Sequence, residues 1–170
     1  MESRSVKDEE LFENLVSTHQ TALLRLCYTL LLDRSLAEEA VQDTFLRVWK
    51  HLDRIRDEDR YKAWIFQIAV NRCRDIRRSA WFRHRLSQKE LPENRPDPAS
   101  GVSEEDMALN IAIQQLPFKQ KEVILLYFYQ RFTLEEIADM LGISHASVSE
   151  RKQRGLEALK KELKGETENE

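Results

Sequence analysis

Helix-breaking residues are scarce in this chain. Its 170 residues include only four glycines and four prolines, and three of those prolines, Pro92, Pro96 and Pro98, fall together. So few breakers leave long uninterrupted segments, which argues against a turn-rich β architecture and for helices. Cysteine is equally sparse. Cys27 and Cys73 sit in helical patterns with no metal-ligand spacing, which excludes a disulfide framework or a zinc module and reads as two reduced, buried thiols. No apolar run approaches the ~20 residues needed to cross a bilayer. The first ten residues, Met-Glu-Ser-Arg-Ser-Val-Lys-Asp-Glu-Glu, hold no apolar signal core, so the expectation is a cytoplasmic protein. There is no glycine-rich phosphate loop, no nucleophile motif and no Glu-x-x-His ligand pair.

Charge is plentiful, at 34% of residues beside 41% hydrophobic. The net charge of −3 conceals its distribution. Residues 1–46 carry 4 basic against 9 acidic side chains, and residues 86–116 carry 2 against 6. Residues 117–170 carry 9 against 10. Residues 47–85 carry 12 against 5, a local +7 within an acidic protein. A segment of that kind attracts nucleic acid whatever the overall balance.

Apolar periodicity predicts a helix through Leu11, Phe12, Leu15, Val16, Leu23, Leu26 and Leu30. A second is expected to open at Ser35, with Glu38 completing a capping box, and to bury Ala37, Ala40, Val41, Phe45, Val48, Trp49 and Leu52. A polar stretch from Asp53 to Arg60 follows, then a third helix from Tyr61 to Ser79. The first half of that helix is apolar almost all round (Trp64, Ile65, Phe66, Ile68, Ala69, Val70), as a central bundle helix would be. Residues 86–103 lose the periodicity and read as a flexible linker. Further helices are expected at 104–115, 118–130, 134–141 and 145–163, the last with Val148, Leu156, Leu159 and Leu163 on one face. Gly165 to Glu170 reads as a disordered tail. The predicted fold is all-α: a helical domain over 1–85, the linker over 86–103, and a second helical domain over 104–164.

Two constellations carry function. Thr133 to Leu156 reads as a helix-turn-helix. Thr133 with Glu136 starts it as a capping box. Ala138 is small where two helices cross, Gly142 supplies the turn, and Val148 anchors the second helix. That spacing leaves His145 to Arg151 free to reach a DNA groove. On the third helix, Gln67, Asn71, Arg74 or Asp75, and Arg78 recur every three or four residues and share one face. Its amides and guanidiniums suit base edges and phosphates, and Arg77, Trp81, Phe82, Arg83 and Arg85 extend the basic segment.

The blocks together resemble the sigma-70 family of RNA polymerase sigma factors. Ala37 to Trp49 looks like the polymerase-binding helix, Tyr61 to Arg78 like the segment that reads and melts the −10 element, and Leu116 to Leu159 like the −35-reading domain. Length and order are similar to the extracytoplasmic-function (ECF) subgroup. The resemblance implies two domains, region 2-like and region 4-like, and a protein that binds the β and β′ subunits of core RNA polymerase at promoter DNA. It implies a role in opening the duplex and in stress-responsive transcription. It implies no catalysis, cofactor, metal or small-molecule substrate. It also implies an anti-sigma factor that could hold the protein at the membrane.

Carried over by residue, the polymerase side falls on Glu39, Gln42, Asp43, Phe45, Leu46, Val48 and Trp49, with the chain's own core the stronger claim on Phe45 and Trp49. The −10 side falls on Arg56, Tyr61, Asn71, Arg74, Asp75 and Arg78. Tyr61 is the candidate for stacking on a melted base, and Trp64 is at least as well suited to the core. The loop from Leu52 to Arg60 corresponds to the family's base-capturing loop. The −35 side falls on His145, Ala146, Ser147, Ser149, Glu150, Arg151 and Arg154, with Lys152 at its edge. Here the chain departs from the family's usual Gly-Thr-Val-Lys-Ser-Arg. It has Ala146-Ser147-Val148-Ser149-Glu150-Arg151, a serine in place of the basic residue and then an acid. Glu150 could accept from a cytosine amino group or pair with Arg154 along the helix. A free-standing helix-turn-helix regulator would not need the 36–78 block. A metal-dependent helical enzyme, built on Glu38, Glu39 or His51, would copurify with its metal.

Overall fold

A computed structural model describes residues 4–79, 82 and 103–167. The chain forms two compact units, Met1–Lys89 and Glu90–Glu170. Every regular element among the described residues is helical. The linker expected over 86–103, apart from Ser103, lies outside the described residues, as do Trp81, Arg83 and Arg85. No described helix is long and apolar enough to cross a membrane.

The first unit is a three-helix bundle in which α1 (Val6–Leu31), α2 (Arg34–Lys50) and α3 (Tyr61–Arg78) all pack on one another. Helix α1 starts five residues before the first apolar residue of its expected stripe. Ser5 accepts the Asp8 backbone N–H, Asp8 accepts that of Ser5, and this capping box satisfies donors the apolar pattern does not register. The helix ends at Leu32, which takes the left-handed conformation at φ 54° and donates its N–H to Tyr28 O at 2.7 Å. That tight reversal puts Asp33 at the start of α2. The buried Asp33 carboxylate, and not Ser35, caps the helix by accepting the Leu36 N–H at 3.0 Å. A carboxylate at the cap also suits the positive end of the helix dipole.

The core of this unit is Leu23, Cys27, Ala37, Ala40, Val48, Ile65, Phe66, Ala69, Val70 and Cys73, all fully buried. Both cysteines are free thiols. Trp64 and Ile68, expected with that core, are only half-buried. Phe82, reached through a hydrogen bond from its N–H to Ser79 Oγ, is buried as well.

The second unit comprises α4 (Glu104–Gln115), α5 (Phe118–Ile124), α6 (Leu134–Leu141) and α7 (His145–Thr167). Helix α7 is its hub and packs on each of the other three. After α5 the backbone widens into a π-type turn over Leu125–Tyr129, closed by Gln130 N–H donating to Leu125 O at 3.1 Å. Helix α7 runs through Thr167, so the tail expected from Gly165 is helical for its first three residues. Nothing lies within 4 Å of a Cβ placed at Gly165, and the helix propagates from its packed start without obstruction.

At Gly155, α7 passes close to the side chains of α5. A Cβ there would meet Ile124 Cγ1 at 2.8 Å and Cδ1 at 3.0 Å. Ile124 is itself in the core and cannot swing away freely. Overpacking of this kind costs about 1–3 kcal/mol, against about 1 kcal/mol gained in helix propensity. Gly155→Ala should therefore lower the stability of the second unit by about 1 kcal/mol, and Gly155→Val by more. Urea unfolding followed by circular dichroism, with Gly165→Ala as the unstrained control, measures it.

Candidate nucleic-acid interface

Helix α3 divides into two faces. Ile65, Phe66, Ala69, Val70, Cys73 and Ile76 are buried against α1 and α2. The opposite face carries exposed Asn71, Asp75 and Arg78, with half-buried Trp64, Gln67 and Arg74 beside them. Asn71, Arg74, Asp75 and Arg78 therefore occupy one accessible strip, as their spacing predicts, and Trp64 adds an aromatic ring to it. Its half-open position, rather than one in the core, was not fixed by sequence.

Tyr61 behaves otherwise. It is only 8% exposed, and its phenol donates to Ile55 O at 3.1 Å. Burial, then Glu58 and Asp8, push its hydroxyl above the usual tyrosine range. Tyr61 thus ties α3 to the preceding loop, with little of its ring open to a base. It fixes that loop, where two short 3-10 turns, Leu52–Arg54 and Glu58–Arg60, leave Arg56 exposed.

On α2, Glu39, Gln42 and Leu46 are exposed. Leu46 is conspicuous, an apolar side chain 58% exposed. Val48 and Phe45 are both buried in the core. Trp49 is half-buried. Its ring meets Phe12 edge-on at 5.0 Å, and the Arg4 guanidinium lies over it at 4.7 Å. Asp43 and Glu39 both face Arg72 of α3, a residue that sequence reasoning missed.

The second unit forms the helix-turn-helix in detail. The Thr133 hydroxyl accepts the Glu136 N–H at 3.1 Å to start α6. The Glu136 carboxylate returns to the Thr133 hydroxyl at 3.2 Å, so only one half of the expected capping box forms. Gly142 closes α6 at φ 64°, a left-handed turn that glycine adopts without strain. Ser144 then caps α7, accepting the Ser147 N–H at 3.1 Å. Val148 is fully buried and Ala138 nearly so.

His145, Ala146, Glu150 and Arg154 are exposed on α7, with Ser147 and Ser149 half-buried. Gln153 is exposed one turn beyond Ser149, and its place on this face could have been counted from the helix period. Arg154 Nη2 pairs with Glu150 Oε1 at 2.7 Å. Arg151 turns inward, with Nη1 3.7 Å from Oε1 of Glu122, a fully buried carboxylate on α5. Lys152 also faces the fold, its Nζ 4.5 Å from the centre of the Tyr127 ring.

Comparison with known proteins decides what these two units are. Residues 15–83 match the family model Sigma-70 region 2, and residues 112–161 match Sigma-70, region 4. The chain belongs to the sigma-70 family. Among its relatives, the ECF RNA polymerase sigma factor SigL of Mycobacterium tuberculosis (strain ATCC 25618 / H37Rv) is 32% identical over 154 residues, covering 88% of this chain and 87% of that one. The ECF RNA polymerase sigma factor SigW of Bacillus subtilis (strain 168) is 29% identical over 170 residues, with 92% and 91% covered. CnrH, solved in complex with the cytosolic domain of CnrY, is 27% identical and superimposes with a TM-score of 0.64 over 92% of this chain and 90% of that one. The sigma factor RpoE, solved with the anti-sigma factor NepR from Bartonella quintana, shares the fold at a TM-score of 0.76 and 24% identity, covering 90% and 96%. The protein is an ECF sigma factor, acting in promoter recognition and transcription initiation. In this sigma factor the open strip of α3 lies in region 2 and the exposed face of α7 in region 4.

Proposed function

We propose that this sigma factor docks on core RNA polymerase through α2, and that α3 reads and opens the −10 side of the promoter while α7 reads the −35 side. The supporting observation is the segregation of α3, one face wholly in the core and the other an open strip of amide, guanidinium, carboxylate and indole groups. On α2 the exposed Glu39, Gln42 and Leu46 offer polar and apolar contacts, with Trp49 at the edge. Arg56 in the preceding loop and Asn71, Arg74, Asp75 and Arg78 supply the −10 contacts. On α7, His145, Ala146, Ser147, Ser149, Glu150 and Arg154 supply the −35 contacts. The division of labour follows the domains, 1–85 for polymerase and −10, and 104–164 for −35. The protein works in the cytoplasm and is restrained by an anti-sigma factor, which could itself sit at the membrane. The complexes in which CnrH and RpoE were solved support a partner of that kind.

Transcription across a pool of promoter fragments from the source genome tests this directly. Added to core RNA polymerase, the protein should yield start sites absent with core alone, and their alignment gives both promoter elements. A folded protein that forms no complex with core would overturn the proposal.

The free protein should bind promoter duplex weakly. Over residues 145–157 the outward face of α7 sets one cation, Arg154, against Glu150 and Glu157. Ser149→Lys restores one cation and should steepen the salt dependence of duplex binding by about 0.9 in log–log slope, as read by fluorescence anisotropy across a salt series.

A further inference from the structure

We propose that Asp43 and Arg72 form a strut that positions the reading face of α3 against α2, leaving Glu39 as the α2 acid that a polymerase cation engages. This rests on the assignment of α2 and α3 given above. Glu39 and Asp43 lie one helical turn apart and converge on one guanidinium, but unequally. Arg72 Nε donates to Asp43 Oδ2 at 2.7 Å, a short charge-assisted bond. Arg72 Nη2 is 3.7 Å from Glu39 Oε1, too far for a hydrogen bond. Exposure follows the same order. The Arg72 and Asp43 side chains are 26% and 34% exposed, and that of Glu39 is 57% exposed.

Two acids and one arginine leave a net charge of −1, and the uncommitted share of it sits on Glu39. Removing Arg72 from Asp43 would strand two half-buried charges, so an incoming cation takes Glu39 instead. Arg72 also follows Asn71 and precedes Asp75 by less than one turn, and both neighbours point outward. Pinning Arg72 to α2 therefore fixes the rotation of α3 about its axis. The fully buried apolar residues between the helices hold the fold together without it. Arg72 is a positioning residue, acting on DNA through its neighbours.

The test uses the full chain, core RNA polymerase and a promoter identified by the transcription experiment. The variants are Arg72→Met, Asp43→Asn, the swap Asp43→Arg with Arg72→Asp, and Glu39→Lys, each checked for folding by circular dichroism. Arg72→Met should keep core affinity within about threefold while permanganate reactivity of the melted bases falls about tenfold, and Asp43→Asn should lower that reactivity to the same extent. The swap should recover most of the opening, which a purely local effect of either side chain would not do. Glu39→Lys should weaken core binding by about tenfold. If Arg72→Met fails to fold, Arg72→Lys keeps the charge but loses the Nε geometry, and it should still lower opening.

Unchanged opening in the Arg72 and Asp43 variants would overturn the strut. So would a swap that folds but recovers nothing. Core binding weakened as much by Asp43→Asn as by Glu39→Lys, with Arg72→Met harmless, would make Asp43 a polymerase contact and overturn it too. A wild-type protein that neither binds core nor initiates would instead reject the underlying assignment.

Discussion

Replacing Arg151 with alanine is expected to cost the region 4 unit about 2 kcal/mol, the largest stability effect of any single change to a residue of α7's DNA side. Breaking a buried pair from one end costs about 3–5 kcal/mol, because the remaining charge stays out of water. The lower figure applies here for two reasons. The pair is 3.7 Å apart with Arg151 22% exposed, and Glu122, at 0% exposure, has interactions besides this one. The three tryptophans, Trp49, Trp64 and Trp81, all precede the second unit, so hydrogen exchange at the amides of α7 is the direct measure of the change.

Two companions identify the cause. Arg151→Ala combined with Glu122→Gln should regain most of the loss, since a neutral amide is cheaper to bury than a lone carboxylate. Arg154→Ala should leave stability within about 0.5 kcal/mol, because its pair with Glu150 lies on the exposed surface. Arg154→Ala should nonetheless weaken −35 binding. Arg151→Ala would reduce DNA binding as well, but through loss of the helix that carries the reading face. Equal stability in the Arg151 and Arg154 variants would show that the inward ion pair contributes nothing.

The contrast between Arg151 and Arg154 shows which information is local. Helix period and capping depend on residues a few positions apart, so the bundle helices, the Ala138–Gly142–Val148 turn and the open strip of α3 were legible. The family resemblance of those blocks added the order of the two units. What escaped depends on partners distant in sequence. Arg72 meets Asp43 across 29 positions, and no spacing rule within one helix pairs them. Arg151 resembles any cation on a reading helix until α5 presents a buried Glu122 beneath it. A charge inside the run Lys121 to Leu126, all buried, was the one signal that pointed to an inward partner.

Tyr61 escaped for a related reason, because the bond from its hydroxyl to the Ile55 carbonyl spans the loop and no helix pattern registers it. Ser35 lost the capping role to Asp33 because the left-handed Leu32 starts α2 earlier. Neither outcome is visible without the backbone. With Tyr61 holding the loop, an aromatic ring half-open on the face of Asn71 is Trp64, which makes the α3 strip a single surface of amide, charge and indole.

Asn71→Ala is the sharpest probe of that surface, and it should cut specific transcription by about 5- to 150-fold, the equivalent of the roughly 1–3 kcal/mol that a bidentate amide contact with a base carries. Core binding should be unchanged. Asn71 is exposed and takes no part in the core, and alanine is the better helix former, so the variant should fold at least as well as the wild type. A fall in transcript therefore reports lost DNA contact and not lost structure. A template with the −10 region already mismatched separates two ways of losing it. Opening a duplex requires unstacking and unpairing, which such a template has already undergone. If Asn71 acts on opening, the mismatched template should restore most of the activity. If it holds a base of the separated strand, the defect should persist on both templates. Loss of core binding would instead move Asn71 to the polymerase interface, and with it the whole outward face of α3.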